Sequence, residues 1–350
     1  MKYGKIRIDN GNFIYTRHMR LNVLPCTDIL WAYLRKSVPE DHGLTQLPVN
    51  NLVIVTRRHK SYQFDMTERE VKECIRLLRA LNPEMAVGFP KGGRINQKSL
   101  PNTRDLGALM SEDGRHIIPR KLLRSGHLYH CSVMDKEVLQ ESYHLSTVID
   151  LRTHAERKHM PDEFIDGAKY HHVNLLDEPV PGVTLEQNIM DFLMTYHGDP
   201  EMMMYNVYRK MIQDPFTQKQ MARFIDLLIR HGDGAVLYHD TFGTDRVGIC
   251  TALVLSALDI PRNVIYEDYM KTNSYLEKEE EALIRQLESR TVVDNRVLSN
   301  VKSMFEIKEI YLQSAFTEIE KEYGSVERYL KKALFLTPKS LEQLKEKYLI

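Results

Sequence analysis

The decapeptide H-D-T-F-G-T-D-R-V-G, residues 239 to 248, gathers the groups of this sequence best suited to chemistry. An apolar run ends in His239, a short loop containing Gly243 follows, and Arg246 opens a second apolar run at helical spacing. Strand, tight loop and helix start make an anion cradle, because N–H groups at the helix start point at a bound phosphate. Gly243, Arg246 and the helix dipole all favour an anion there. Asp240 works the other way, setting a fixed negative charge at the cradle floor. The chemistry in question is the binding or transfer of a phosphoryl group, with one residue out of keeping.

Such a loop needs a sheet behind it. From residue 100 onward the pattern is α/β. "LSTVIDLR", "AKYHHVNLL" and "AVLYH" read as buried strands, "TQKQMARFIDLLIRHG" as an amphipathic helix and "VGICTALVLSAL" as a buried one. Strands alternating with helices imply a parallel sheet with its ligand site beyond the carboxyl ends of the strands. After residue 262 the chain reads as mostly helical. Residues 1 to 88 read differently, as a small, mostly β domain. "KIRIDNGNFIYT" places two alternating runs around an Asn-Gly turn. "DILWAYLRK" and "NLVIVTRRHKSYQFDM" suit strands, the second bending near Arg58 to Lys60. "TEREVKECIRLLRAL" opens with a capping box, Thr67 and Glu70, and puts Val71, Cys74, Ile75, Leu78 and Leu81 on one helical face. Residues 89 to 100, rich in Gly, Pro and polar groups, read as a linker, which leaves 101 to 350 as the second domain.

Two resemblances add to this. "DILWAYLRK" resembles strands of bacterial pleckstrin-homology-like domains. The loop resembles that of a bacterial subfamily of cysteine-dependent tyrosine phosphatases, of dual-specificity and phosphoinositide-active type, which carries H-C-x-x-G-K-D-R-T-G. His239, Gly243, Asp245, Arg246 and Gly248 match; Asp240, Thr244 and Val247 replace the Cys, Lys and Thr. "LPNTRDLGAL", "LLRSGHL", "TVIDLRTHAER" and the helices after 260 resemble the same family in the same order. The resemblance implies a tyrosine-phosphatase-like parallel-sheet domain with a helical carboxyl-terminal part. It places Asp240 at the nucleophile position, Asp245 at the general-acid position and Arg246 on the phosphate. Thr241, Phe242, Gly243 and Thr244 complete the phosphate-binding loop. His239, Val247, Gly248, Arg104, Asp105, Asp150 and Arg152 support it. It implies a phosphorylated protein or phosphoinositide as ligand, and neither cofactor nor metal.

A thiolate attacks phosphorus in line and leaves readily, its pKa lowered by a helix start and a nearby cation. A carboxylate does neither well without a metal, and loss of a covalent nucleophile elsewhere costs about a factor of 10⁶ in turnover. With the nucleophile, the lysine and the hydroxyl all replaced, the expectation is a pseudophosphatase. Either its loop still binds a phosphorylated ligand, or Asp240 pairs with Arg246 and closes the pocket. The alternative is an active phosphatase with a non-cysteine nucleophile. "DTFGT" also partly matches the D-x-D-G-T motif of haloacid-dehalogenase-type phosphatases, but Phe242 stands where that motif has its second Asp.

The remaining candidates read more plainly. Cys250 lies on the apolar helix and reads as structural; Cys131 is the stronger outside candidate for redox chemistry. Asp177 and Glu178 follow a strand and read as a solvated loop. Met190, Met194, Met202, Met203 and Met204, with Phe192, Tyr196, Tyr205 and Tyr208, read as helices packed on the core, in the region where the resembled family has a lid. Arg57, Arg58, His59 and Lys60 read as a solvated hairpin tip, with a phospholipid headgroup or an acidic protein as the alternative. Lys+Arg and Asp+Glu are both 48, so no global field argues for nucleic acid. The four cysteines show no metal or disulfide spacing. "MKYGKIRIDNGNF" lacks the apolar core of a signal peptide, and no run approaches a membrane span. A cytoplasmic protein is the expectation.

Overall fold

A computed structural model describes residues 2–3, 6–17, 20–37, 49–58, 60–88, 95, 99–177, 184, 193–289 and 293–350. His59, Glu178, Met190, Phe192 and most of the expected linker lie outside them. The chain forms two compact units, Met1–Pro90 and Lys91–Ile350.

Among its described residues the first unit holds two four-stranded sheets, one α-helix and a short 3-10 turn at Cys26–Asp28. Strands β1 (Lys2–Tyr3), β2 (Ile6–Asp9), β3 (Asn12–Arg17) and β4 (Arg20–Pro25) pair antiparallel in sequence order. Asn10 and Gly11 both take positive φ, 46° and 73°, the geometry that an Asn-Gly hairpin turn requires. The second sheet has the order β7-β6-β5-β8, with β5 at Ile29–Ser37, β6 at Val49–Thr56, β7 at Ser61–Asp65 and β8 at Ala86–Val87. The helix Glu68–Leu81 begins with the expected box: Glu70 N–H donates to Thr67 Oγ1, and Thr67 N–H donates back to Glu70. Its end is pinned where Asn82 Nδ2 donates to the carbonyls of Cys26 and Ile29. Val71, Cys74, Ile75 and Leu78 enter the core; Leu81 is 40% exposed and does not, because the helix ends there.

The second unit is built on a five-stranded sheet of order β12-β11-β13-β10-β9. Here β9 is Arg104–Asp105, β10 Leu122–Ser125, β11 Leu145–Asp150, β12 Lys169–His172 and β13 Ala235–His239. All pairings are parallel except that of the edge strand β9. The alternation of β13 serves two cores: Val236 and Tyr238 pack on one face, Ala235 and Leu237 on the other. The helix Asp245–Ala257 is buried almost throughout. Of the expected linker, Ile95 and Leu100 are buried in this unit's core, and Ile95 N–H donates to the Thr103 carbonyl. No helix among the described residues is long and apolar enough to cross a membrane.

Candidate functional site

Strand β13 is central in its sheet, and the loop 240–244 leaves its carboxyl end to enter the helix Asp245–Ala257. Gly243 has φ +70°, and a Cβ there would stand 2.7 Å from the Ser125 carbonyl oxygen. Only glycine lets the loop press on β10 this closely.

The cradle has an occupant of its own. The Asp240 carboxylate turns back into the loop: Oδ1 accepts from the N–H groups of Phe242 (3.0 Å) and Gly243 (2.5 Å), and Oδ2 from that of Val247 (3.0 Å). Asp240 is 2% exposed. The expected Asp240–Arg246 pair is a long one, 3.9 Å from Oδ2 to Nε. Instead the Arg246 guanidinium grips Glu156 with both terminal nitrogens, at 2.6 and 2.8 Å. Burial opposes the Arg246 charge, but Glu156 raises its pKa further above the ordinary value. Burial alone would raise Glu156 too; Arg246, the Thr241 hydroxyl and the Thr153 N–H together bring it down to about 2. Glu156 is held in place as the N3 residue of a capping box on the helix His154–His159.

The other loop residues follow from this arrangement. Thr241 Oγ1 donates to Glu156 at 2.6 Å, and the Thr241 carbonyl accepts from His127 N–H. Phe242 turns outward against Phe305, 4.9 Å between ring centroids, in a cluster with Leu193 and Leu276. Thr244 donates to Asp245. Asp245 faces inward, accepting from the Tyr208 hydroxyl at 2.8 Å. Burial, with Asp240 nearby, pushes its carboxyl up to about 6. The Tyr208 hydroxyl also meets that of Tyr269, 2.7 Å away, and the Tyr269 ring packs so near Gly248 that a Cβ there would stand 2.9 Å from it.

Support comes from beneath. Arg124 donates to the Gly243 carbonyl at 2.7 Å, and Asn102 to those of Phe242 and Gly243. Arg104 holds Asn102, and Asp268 bridges Arg104 and Arg124 at 3.0 Å each. Asp150 and Arg152 pair with each other, and Arg152 reaches Asp162 at 2.8 Å. His239 Nε2 lies 3.0 Å from Asp162; burial disfavours its charge, but Asp162 and Asp150 raise its pKa. Asp150, Asp162 and His239 are near enough to share a cation. Arg152 already supplies that charge. Asp105 does not join the support. Its carboxylate accepts from Gly107 and Arg120 N–H groups and fixes a turn, because alternation along the two-residue strand turns it away from Arg104.

The structure thus brings together Asp240, Thr241, Phe242, Gly243, Thr244, Asp245, Arg246, Val247, Gly248 and His239, with Arg104 reaching them through Asn102. Sequence reasoning missed Glu156, Asn102, Arg124, Asp162, Asp268 and Tyr208. Cys250 is wholly buried, and burial pushes its thiol well above the ordinary value. Cys131 is buried as well, its thiol pushed up to about 11 by burial first, so it is no ready nucleophile. Met204 and Tyr208 enter the core from the helix Pro200–Gln213, while Met202 is 54% exposed.

Residues 95–350 match the profile of the tyrosine phosphatase family. A protein of Cupriavidus necator, provisionally named a tyrosine-protein phosphatase, is 27% identical over 238 residues, 67% of this chain and 82% of its own. The triple-specificity protein phosphatase PtpB of Mycobacterium tuberculosis is 28% identical over 137 residues, 37% of this chain and 49% of its own. The profile takes in the whole sheet, the loop and every helix after it, and on that extent the chain belongs to the tyrosine phosphatase family.

Proposed function

We propose that this chain is a non-catalytic member of its family, a pseudophosphatase whose phosphate loop is closed from within and which works as an interaction protein. One observation carries the reading: the Asp240 carboxylate accepts from three loop N–H groups while Glu156 holds Arg246. An incoming phosphate would have to displace both carboxylates and then sit beside their charge. Charge-assisted hydrogen bonds of this kind are about twice as strong as neutral ones. A carboxylate nucleophile would need a free oxygen aimed at phosphorus, and both oxygens of Asp240 are spent on the loop. The Asp245 carboxyl, at the general-acid position, points to Tyr208 rather than outward.

The same observation favours closure over ligand binding as the fate of the loop. In this reading the carboxylates act as a resident anion that keeps the loop folded, and function falls to other surfaces of the molecule. Pleckstrin-homology-like character of the first unit would suit such a role.

The test is hydrolysis of p-nitrophenyl phosphate by the unmodified protein and by Arg246→Ala, with calorimetric titration of inorganic phosphate into both. We expect the same background rate from each and no phosphate uptake in the low millimolar range. Turnover that disappears with Arg246 overturns the non-catalytic reading. Phosphate uptake that depends on Arg246, without turnover, overturns closure and leaves a phosphate-binding pseudophosphatase.

A further inference from the structure

The family match begins at residue 95 and assigns nothing to the first unit, which holds a cavity of about 640 Å³. That is an ordinary size for a small-molecule site. Its walls follow from the register. Tyr3 pairs with Ile6 and Ile6 with Tyr15 across β1, β2 and β3, so the three side chains stand in a row on the buried face of the first sheet. Opposite them, β7 alternates: Ser61, Gln63 and Asp65 are exposed, while Tyr62, Phe64 and Met66 turn inward. The Tyr15 ring meets Tyr62 at 5.4 Å and Phe64 at 5.3 Å between centroids. β7 is the outer strand of its sheet, and the cavity lies along it, lined by residues 61 to 66. Aromatic faces and edges on both sides suit a flat ring system.

The mouth is charged unevenly. Arg17 lines the cavity, two residues beyond Tyr15 on the same face of β3, and has no acidic partner among the described residues. Phe13 meets Phe64, and Tyr15 meets both Phe64 and Tyr62, so β3 runs toward the Ser61 end of β7 as it nears Arg17. Lys60 immediately precedes Ser61 at that end. Among the described residues the one carboxylate lining the cavity, Asp65, lies four residues along β7, roughly 13 Å from that end. One end of an aromatic slot thus carries a guanidinium with no acidic partner among the described residues.

We propose that this cavity is a binding site for a flat aromatic ligand bearing one anionic group, the rings held against the Tyr15, Tyr62 and Phe64 side chains that line it, and the anion at Arg17. The loop chemistry of the second unit plays no part in it.

The test uses two dyes on the full chain: 8-anilino-1-naphthalenesulfonate, which has this chemistry, and its uncharged relative N-phenyl-1-naphthylamine. Fluorescence titration should show the sulfonate binding with one equivalent and more tightly than the neutral dye. Arg17→Gln changes an exposed side chain and should leave the fold intact; it should weaken the sulfonate about fivefold and leave the neutral dye unchanged. Tyr62→Ala should weaken both. Equal affinities for the two dyes in the unmodified protein, an unchanged sulfonate affinity in Arg17→Gln, or uptake of several equivalents would each overturn the proposal.

Discussion

Replacing Glu156 by Gln tests the closed loop most directly, because it removes one charge and little else. Glu156 is 1% exposed and takes both terminal nitrogens of a buried Arg246. Removing one partner of a buried ion pair costs about 3–5 kcal/mol, since the other charge is left without compensation. Two features moderate this. A glutamine at N3 still completes the capping box with Thr153 and keeps one acceptor for Arg246. Asp240 also stands 3.9 Å from Nε and can partly take up the charge. We set the expected loss at about 3 kcal/mol, or a fall of roughly 6–12 °C in the melting temperature of a unit of this size.

Two optical probes separate the units. Trp31 is the only tryptophan in the chain and reports the first unit, while the helices of the second dominate far-ultraviolet circular dichroism. The dichroism transition should fall and the Trp31 transition should stay. The pH dependence has a definite sign. Glu156 in the fold titrates at about 2, below its ordinary 4.5, so its contribution is full above about 4.5 and is lost as the pH falls toward 2. The gap between the proteins should narrow over that window. A loss below about 1 kcal/mol, or a gap that ignores pH, would refute the claim that the Glu156–Arg246 pair holds the loop.

Two further substitutions probe the same loop from other sides. Asp245→Asn should stabilise the second unit at pH 8 by up to about 3 kcal/mol, because burial pushes this carboxyl from 3.8 to about 6 and ionising it opposes folding. That gain should fade as the pH falls from 6 to 4, which denaturation curves at pH 8 and pH 4 would show; an equal effect at both would refute the assignment. Gly243→Ala should cost roughly 2 kcal/mol or more in a thermal melt, since it forces a side chain into positive φ and within 2.7 Å of the Ser125 carbonyl; a shift within error would mean the loop can leave β10 freely.

The parts legible in the sequence were those governed by local rules. Thr67 and Glu70 announced a helix start, Asn10-Gly11 a hairpin, and "AVLYH" followed by Gly243 and Arg246 a strand, loop and helix. The pieces that fix the loop obey no local rule. Arg124 and Asp268 are 144 residues apart and meet only because β10 and the helix Arg262–Glu288 converge beneath Gly243. Glu156 had a local signal, the Thr153 capping box, but that motif speaks of a helix start and not of the arginine 90 residues away. Asp105 shows the reverse failure. It neighbours a supporting arginine in sequence, yet strand alternation turns it to the other side. Burial faces could be read from periodicity; partners of buried charges could not, because topology decides them.

In the proposed reading, Asp240 does more to the loop than leave the family's nucleophile position without a thiolate. A small neutral residue at this position would leave the N–H groups of Phe242, Gly243 and Val247 pointing into an empty, buried cradle, at about 1–3 kcal/mol for each donor left without a partner. The carboxylate satisfies all three from a single residue, two of them positioned by the turn at Gly243. Asp240 therefore replaces the anion that an open loop would draw from solution. The arrangement carries its own charge problem: Asp245 lies nearby, and its pKa is raised by burial first and by the Asp240 charge second. Glu156 adds a third carboxylate, and Arg246 is the cation they share. Four buried ionisable groups around one loop, drawn from two distant segments of the chain, make the arrangement hard to open piecemeal. Loss of any one of them changes the balance for the rest, so the loop should stay closed as a unit or come apart as one.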